Sequence, residues 1–383
     1  MIDFALTDEQ KMLKESISSF FKKECPNGYI REKDEKEEFP HEIYNKIAEM
    51  GLLGLAFPEE YGGSNGTIID IIIALEEIAR GMYAVVFPVA SNMVFAGDAL
   101  VHFGSVEQKR YYLPKMAKGE ILFAFALTEP NAGSDAVAVQ TTAVPDGNHY
   151  IINGNKIFSS FAHVANQILV LTRTDKTVKP HKGLSMFIVD PENSGVEINR
   201  LKVIGRRAEG LAEIFFEDVR IPKENLVGGL NEAWRNMGKT FERERAIAGA
   251  PYVGGAQKVV DEAVEYAKSR EQFGQPISRF QAISHLIADM QTEVDAARLL
   301  VYYGAWRVLQ NLSAAREVCE AKLKAAETFA KVANDGMQIL GGYGYTLEYD
   351  MQRHWRDARI GTVAGGSSQI QREVIARTLG LYK

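Results

Sequence analysis

Two carboxylates that lie close together on one predicted helix are candidates for a base that takes a proton from a bound ligand. The segment KTFERERAIAGAPYVGGAQ places Glu242 and Glu244 two residues apart. At about 100° per residue their side chains lie roughly 200° apart around the helix, so only one can face a given ligand. Glu244 shares its face with Ala248, Pro251 and Gly255, small residues that let a ligand approach. A ligand that covers a carboxylate desolvates it, which raises its pKa toward neutral and suits it to act as a base.

Two loops offer backbone groups, hydroxyls and amides to a ligand. TVAGGSSQIQ, residues 362–371, contains small and polar residues but no ionisable side chain. FALTEPNAGSD, residues 125–135, follows a predicted strand, where short side chains can reach the edge of a flat ring without blocking its face. A turn rich in Pro, Asn and Gly has the same composition without any ligand, so the second stretch alone does not identify one.

A third candidate for ligand contact is Arg270 in the segment REQFG. It ends a predicted helix just before a turn bounded by glycine and proline. From there its guanidinium can reach the phosphate of another molecule as a bidentate donor. A single arginine at a helix end is more commonly a solvated charge. Arg270 alone therefore does not identify a phosphate contact, which needs support from other residues.

Composition and charge exclude several other classes of protein. The 383 residues are 46% hydrophobic and carry a formal charge of −6, with acids and bases interspersed and no long basic run. This balance argues against a nucleic-acid or anionic-membrane partner. Cys25 and Cys319 are far apart and have no histidine at ligand spacing, which gives no support to a disulfide framework or a metal site. The apolar runs are too short to span a bilayer and no basic-plus-apolar leader is visible, so we expect no membrane insertion and a cytoplasmic location.

The elements that must position these residues form three segments, and the first, residues 1–120, is predicted to be helical. Thr7 and Gln10 form a Thr-x-x-Gln capping box that starts a helix, and Ser105 and Gln108 repeat the pattern. Apolar residues at helical spacing follow each of these starts. We therefore expect an N-terminal α-helical domain.

The second segment, residues 121–230, changes to the period of two that is typical of strands. Asn153-Gly154 within HYIINGNKIFSS predicts a type I′ hairpin, and QILVLTRT, LSMFIVD and AEIFFEDVRI add further strands. Short turns separate these strands, which excludes βαβ units and favours an antiparallel barrel or sandwich. No GxGxxG follows a strand, and no phosphate-binding GxxxxGK[ST] occurs.

The third segment, residues 231–383, is again helical and completes an α+β protein. Gly341-Gly342 ends one of its helices. The predicted helices cover residues 232–268, 279–311 and 313–340, and a final helix begins at Ser368.

Four stretches together resemble the FAD-dependent acyl-CoA dehydrogenase family, in the family's order and over essentially the whole chain. The resemblance implies that family's fold, with an N-terminal helical domain, a central β-domain and a C-terminal helical bundle. It also implies an enzyme that assembles as a homo-oligomer, in most cases a tetramer. The stretches are FALTEPNAGSD, SREQFGQPISRFQAISHLIADM, QILGGYGY and RDARIGTVAGGSSQIQREVIAR.

The resemblance also implies which residues contact FAD and substrate. In NGNKIFSS the family usually has an indole where this chain has Phe158, which can still stack on the flavin but has lost a hydrogen-bond donor. Arg270, Gln272 and Phe273 are assigned to the FAD of a neighbouring subunit, with Gln338 and Gly342 beside them. The other implied cofactor residues are Phe125, Leu127, Thr128, Gly133, Ser134, Ser160, Ser367 and Gln369, and the implied substrate residues are Ser134, Glu242, Arg245, Ala364 and Gly365.

The family's usual base is missing from this chain. Dehydrogenation between Cα and Cβ of a thioester needs a base for the α-proton while the flavin takes a hydride. Most members have a glutamate where this chain has Gly365, and the long-chain and isovaleryl-type members place it on another helix, at the position of Glu244 here. FERER alone is typical of a solvated helix start, but the loss at Gly365 favours Glu244 as base. Glu242 is expected to face solvent or the pantetheine arm.

We therefore expect an acyl-CoA dehydrogenase that passes electrons to an electron-transfer flavoprotein. The backbone N–H of Gly365 would still polarise the thioester carbonyl. The small pair Ala364-Gly365 vacates volume beside the first acyl carbons, which predicts a branched, cyclic or substituted acyl group. The alternatives are a dehydrogenase of carrier-bound acyl or aminoacyl groups, an enoyl-CoA reductase, or a flavoprotein that has lost dehydrogenation, desulfinase-like or structural.

Overall fold

The computed structural model describes residues 5–382 and contains helices, a β-sheet and helices again, in that order along the chain. The predicted α+β order is confirmed. Residues 1–4 and Lys383, which the first and third predicted segments include, lie outside the described residues.

The N-terminal part is helical, and its helices begin where the capping residues predict. Thr7 Oγ1 accepts a hydrogen bond from the backbone N–H of Gln10 at 3.2 Å, and Gln10 Oε1 accepts one from the backbone N–H of Thr7 at the same distance. Ser105 and Gln108 form the second capping box in the same way. The helices are α1 (Asp8–Glu24), α2 (Asn27–Glu35), α3 (His41–Glu49), α4 (Ile68–Gly81), α5 (Tyr83–Ala90), α6 (Ala96–Phe103) and α7 (Val106–Ala117).

A π-helical turn, Ser91–Phe95, joins α5 to α6 into one helical stretch. Within it, Asn92 donates to the Ile121 carbonyl at 2.9 Å and accepts from the Phe123 N–H at 3.1 Å, which ties the turn to the sheet. By length and composition alone, the stretch Tyr83–Phe103 is apolar enough to cross a membrane. The expectation that every apolar run is too short to span a bilayer missed this stretch. Within the fold, 72% of its apolar window is buried, so it packs as a core helix.

The central part is a mainly antiparallel sheet of eight strands in the order β6-β7-β3-β2-β4-β5-β8, with β1 paired to β4. Its parallel pairs are β1 with β4 and the single pairing of β2 with β4. The strands are β1 (Phe123–Ala126), β2 (Thr142–Asp146), β3 (His149–Ser160), β4 (Gln167–Arg173), β5 (Leu184–Val189), β6 (Val196–Leu201), β7 (Leu211–Pro222) and β8 (Leu226–Val227).

The predicted hairpin at Asn153-Gly154 is wrong, because both residues lie inside the long strand β3. The turn between β2 and β3 lies instead at Gly147, whose φ of +57° is left-handed. Gly154 lies so close to Thr141 that an added Cβ would be 2.6 Å from the Thr141 hydroxyl oxygen. Gly154 therefore allows the neighbouring backbone to approach closely at a β-bulge. The sequence around it is the same as that of a turn, so the two uses of glycine could not be distinguished from the sequence.

The C-terminal part is a bundle in which α9 packs against α4, α10 and α11. The predicted helix over 232–268 consists of two helices that meet at Gly249, because Pro251 in the first turn of α9 has no N–H to donate. The final helix begins at Ser368 as predicted. The elements are α8 (Ala233–Ala248), α9 (Ala250–Ser269), β9 (Glu271–Gln272), β10 (Gln275–Pro276), α10 (Gln281–Leu309), α11 (Ala315–Leu340), α12 (Met351–Ala358) and α13 (Ser368–Thr378).

Candidate functional site

Glu244 lines a small cavity between α6, α8 and the sheet. Phe95 and Ala99 line this cavity from the helical side, and Phe125 lines it from the end of β1. Thr240, one helical turn before Glu244, donates its hydroxyl to Glu244 Oε1 at 2.7 Å. The fold thus places the predicted base and the predicted flavin-contacting Phe125 in the same cavity.

The surroundings of Glu244 hold the pKa of its carboxyl well above the ordinary value, at about 7. Burial is the main cause, since it disfavours the charged form. The Thr240 hydrogen bond and the charge of Arg245 lower the pKa, whereas the buried carboxylate of Asp98 on α6 raises it. At this pKa a large share of Glu244 is ionised at neutral pH and can still accept a proton.

Two of the neighbouring charges on α8, Glu242 and Arg243, contact other elements, whereas Arg245 lies over a ring of α8 itself. Glu242 accepts a hydrogen bond from the backbone N–H of Ala314 at 3.3 Å, at the start of α11. Arg243 donates to Asp98 at 2.9 Å, and the guanidinium of Arg245 lies 5.0 Å from the centre of the Phe241 ring. The two glutamates therefore face different neighbours, as their angular separation predicts. The contact with Ala314 gives Glu242 a structural partner, and its contact with substrate stays a prediction.

The loop Leu127–Ser134 is held to β3 by a buried ion pair that the sequence did not reveal. Lys156 donates to the Leu127 carbonyl at 2.9 Å and to Glu129 Oε1 at 2.7 Å. Glu129 also accepts from two backbone N–H groups at the start of β2, and Thr128 accepts from the Ile157 N–H at 2.9 Å. These bonds fix the loop that carries the predicted flavin contacts Leu127, Thr128, Gly133 and Ser134.

The end of β3 presents Phe158 to solvent. The pairing of β3 with β7 shifts between Lys156 and Ser159, and Phe158 has a left-handed φ of +59° and a side chain that is 59% exposed. An exposed aromatic ring on a strained strand residue is a surface on which a planar ligand can stack.

Ser160, two residues further on, acts on the pKa of Glu209, and Glu209 forms a buried pair with Arg206. The guanidinium of Arg206 lies 3.8 Å from the centre of the Phe87 ring. Burial raises the pKa of Glu209 to about 7, although Arg206 and Ser160 lower it. This charged cluster beside a predicted flavin contact was missed, because GRRAEG reads as an ordinary charged turn.

Left-handed glycines and hydrogen bonds from the surrounding helices fix the backbone of the predicted C-terminal loop, residues 362–371. Gly365 and Gly366 have left-handed φ values of +62° and +75°. Ser367 is the N-cap of α13, and its hydroxyl accepts a hydrogen bond from the Ile370 N–H at 3.3 Å. The buried Lys322 donates to three carbonyls, that of Gly361 just before the loop and those of Ala364 and Gly366 within it. Within residues 362–371, Ala364 is partly exposed to solvent and Gln369 is exposed.

A separate open groove of about 590 Å³ contains the predicted contacts to a neighbouring subunit's cofactor. Arg270, Gln272, Phe273 and Gly342 all line it. Phe273 is 94% exposed, and Arg270 lies 5.3 Å from the centre of the Tyr343 ring, also in the lining. Gln338 is exposed on the last turn of α11, close by in sequence but not in the lining.

The predicted cofactor residues fit a large ligand such as FAD. A Cβ added at Gly133, Gly342 or Gly365 would meet no atom within 4 Å, so each glycine borders open space. The exposed rings of Phe158 and Phe273 offer stacking surfaces. Backbone amides, hydroxyls and Arg270 supply donors suited to a flavin ring and a diphosphate.

Family models match nearly the whole chain. The N-terminal, middle and C-terminal domains of acyl-CoA dehydrogenase match residues 7–120, 124–219 and 231–380. The chain therefore belongs to the acyl-CoA dehydrogenase family, whose members are oxidoreductases acting on CH–CH bonds, and its cofactor is FAD.

Individual relatives share its full length. A probable acyl-CoA dehydrogenase, YngJ of Bacillus subtilis, is 40% identical over 99% of this chain and 100% of its own length. The CarC subunit of the caffeyl-CoA reductase-Etf complex of Acetobacterium woodii is 38% identical over 97% of this chain and 98% of its own. The solved structure of butyryl-CoA dehydrogenase from Megasphaera elsdenii superposes with a TM-score of 0.94 at 33% identity, covering 99% of this chain and 100% of that one.

Proposed function

We propose that this protein catalyses the FAD-dependent α,β-dehydrogenation of an acyl-CoA, with Glu244 as the base. The observation that carries the proposal is the position of Glu244. Glu244 lines the same cavity as Phe125, and burial raises the pKa of its carboxyl to about 7. Gly365, at the position of the family's usual base, has no side chain that can take up a proton.

The residues of the chain divide the reaction between them. Glu244 removes the proton from Cα of the thioester and holds it on its carboxyl group. Bound FAD would supply the acceptor for the hydride that leaves Cβ, and the electron pair left on Cα would form the Cα–Cβ double bond. The backbone N–H of Gly365 donates to the thioester oxygen and stabilises the negative charge that develops there. Thr240 orients the Glu244 carboxylate through its hydrogen bond.

The acyl group is proposed to be branched, cyclic or otherwise substituted. Gly365 has no side chain, and an added Cβ there would meet nothing within 4 Å, so the loop leaves room beside the first acyl carbons. Space at the carbons next to the thioester accommodates substituents that a bulky loop residue would exclude.

The proposed electron partner is an electron-transfer flavoprotein, and the proposed assembly is a homotetramer. The name of the Acetobacterium woodii relative includes an Etf complex, which supports the first proposal. The exposed groove of Arg270 and Phe273 supports the second, because a subunit placed over it would bury an aromatic ring that is 94% exposed.

Reduction of an enoyl-CoA is a second candidate, favoured by the 38% identity to a caffeyl-CoA reductase subunit. The same residues serve in reverse, with protonated Glu244 delivering a proton to Cα. The two directions differ in the redox potential of the acyl pair and of the electron partner, not in the arrangement of the site.

Anaerobic titration of the purified flavoprotein tests the proposal. Straight, branched and cyclic acyl-CoAs are added in turn while flavin absorbance is followed, and the matching enoyl-CoAs are then added to the dithionite-reduced protein. We expect bleaching with branched or cyclic acyl-CoAs at lower concentrations than with straight ones. If no acyl-CoA bleaches the flavin and no enoyl-CoA reoxidises it, acyl-CoA chemistry at this site is excluded.

A further inference from the structure

Lys322 on α11 is a fully buried cation that binds backbone instead of a carboxylate. Its Nζ donates to the carbonyls of Gly361 at 2.8 Å, Ala364 at 3.0 Å and Gly366 at 2.7 Å. These three acceptors use all three N–H donors of an ammonium group. Within residues 5–382 Lys322 forms no ion pair, and its side chain is 0% exposed.

The carbonyls that Lys322 binds determine where the next N–H groups point. In a trans peptide the C=O and the following N–H point in opposite directions. Holding the Ala364 carbonyl inward therefore turns the Gly365 N–H outward, and holding the Gly366 carbonyl does the same for Ser367. Gln371 donates to the Gly365 and Gly366 carbonyls at 3.3 and 2.9 Å, which turns the Gly366 N–H outward as well.

The three successive N–H groups of residues 365–367 have no backbone acceptor in the described part of the chain. Consecutive N–H groups around left-handed residues form a concave site for a negatively charged oxygen. Gly365 and Gly366 supply the left-handed residues at little steric cost. The start of α13 lies directly behind and adds its positive dipole end.

The charge of Lys322 is only weakly compensated by its surroundings. The titratable groups that act on it are Cys319 and Glu327, both on its own helix. Glu327 forms an ion pair with Arg372 of α13 at 2.8 Å. The ring of Tyr252 on α9 also lies near Lys322, with its centre 5.9 Å from Nζ. A net positive charge therefore remains beneath the loop.

We propose that Lys322 is a positioning residue for the thioester oxygen: it fixes the loop with its N–H groups outward and places a positive charge behind them that stabilises the enolate. This inference rests on the proposed function, since it assigns the oxygen at Gly365 to an acyl thioester. Lys322 touches the loop and not the substrate, so it acts through the backbone of residues 361–367.

The test uses the FAD-loaded protein and a 3-ketoacyl-CoA, whose acidic α-carbon lets the bound enolate be titrated by absorbance. The variants are K322M, which removes the charge and the donors, and K322Q, which keeps an amide donor without charge. K324M, on the same helix and paired with Glu293 away from the loop, is the control. We expect enolate affinity to fall about tenfold or more in K322M, less in K322Q and not in K324M, with flavin reduction slowed about 10²–10³-fold in K322M.

A purely structural lysine would change stability and FAD retention without changing the ratio of enolate to neutral ligand bound. An unchanged ratio in FAD-retaining K322M and K322Q would therefore overturn the inference. Wild-type protein that binds no acyl-CoA or 3-ketoacyl-CoA would instead reject the proposed function.

If neither Lys322 variant retains FAD, the pH profile of E244Q decides, because this variant has no carboxylate at position 244 that titrates beside the enolate. Burial lowers the pKa of Lys322 to about 8, despite the opposing effects of Cys319 and Glu327. In E244Q, enolate affinity corrected for ionisation of the ligand should then fall as pH rises above about 8. A flat profile would contradict the inference.

Discussion

The hydroxyl of Thr240 donates a 2.7 Å hydrogen bond to Oε1 of Glu244, one turn later on the same helix. This bond occupies one oxygen of the carboxylate, Oε1. A carboxylate held at one oxygen by its own helix has a restricted rotamer, which fixes the direction of the other oxygen. Thr240 therefore both orients the proposed base and adjusts its affinity for the proton.

Replacement of Glu244 by glutamine should nearly abolish reduction of the flavin by substrate. Glutamine keeps the shape and can still accept the Thr240 hydrogen bond, but it cannot take up the α-proton. A positioned general base contributes about 10²–10⁴-fold, so we expect a loss of that order in E244Q. Anaerobic stopped-flow absorbance measures the rate, and an unaltered flavin spectrum before mixing shows that the cofactor is bound.

The competing carboxylate provides the comparison. E242Q weakens the contact with the Ala314 N–H and should raise KM and lower the midpoint of thermal unfolding. At saturating substrate we expect its reduction rate to stay within about tenfold of wild type, because Glu244 remains. The reverse ranking of the two variants would assign the base to Glu242.

The reduction rate should rise with pH and reach half of its plateau near pH 7. Glu244 acts in its ionised form, and burial raises its pKa to about 7, with Asp98 adding to the rise and Thr240 and Arg245 opposing it. T240V removes a hydrogen bond that favours the charged form. A bond to a charged group is worth about 1.5–3 kcal/mol, so the midpoint should move upward by about 1–2 pH units. A midpoint that moves downward, or not at all, would contradict the pairing.

A carboxylate restored to the C-terminal loop should partly rescue E244Q. Gly365 borders open space, so a glutamate fits there, although its φ of +62° costs a residue with a side chain about 1–2 kcal/mol. We expect the double variant E244Q/G365E to reduce its flavin at least about tenfold faster than E244Q, because a base is again within reach of Cα. Single-turnover rates compare the variants, and G365Q in the same background separates a base from mere bulk.

Most of the fold could be predicted because local signals and the hydrophobic pattern agree. The capping boxes at Thr7 and Ser105 start helices where they are found. The errors lie where tertiary contacts decide. Gly154 looks like a hairpin turn but allows Thr141 to approach β3, and the apolar stretch Tyr83–Phe103 is long because a π-helical turn joins two short helices.

The site is less visible in the sequence, because its supporting contacts join residues far apart in the chain. Glu244 could be singled out from its small-residue face and from the missing acid at position 365. Lys156 and Lys322 could not, since the carbonyls they bind lie 29 and at least 39 residues away. A lysine among the buried residues of α11 was nevertheless a usable signal, because an isolated buried ammonium needs acceptors.

The buried pair Lys156–Glu129 should matter for both stability and FAD affinity. Both side chains are nearly inaccessible to solvent, and the pair fixes the Leu127 carbonyl at the start of the flavin-contacting loop. E129Q leaves an unpaired buried ammonium and should lower the free energy of unfolding by about 3–5 kcal/mol, whereas K156M/E129Q, which also removes that charge, should recover part of the loss. Urea denaturation of the FAD-free chain measures stability, and titration with FAD measures affinity. If E129Q is as stable as wild type, the pair does not hold the loop. If the double variant recovers stability but not FAD affinity, Lys156 acts on the cofactor through the Leu127 carbonyl.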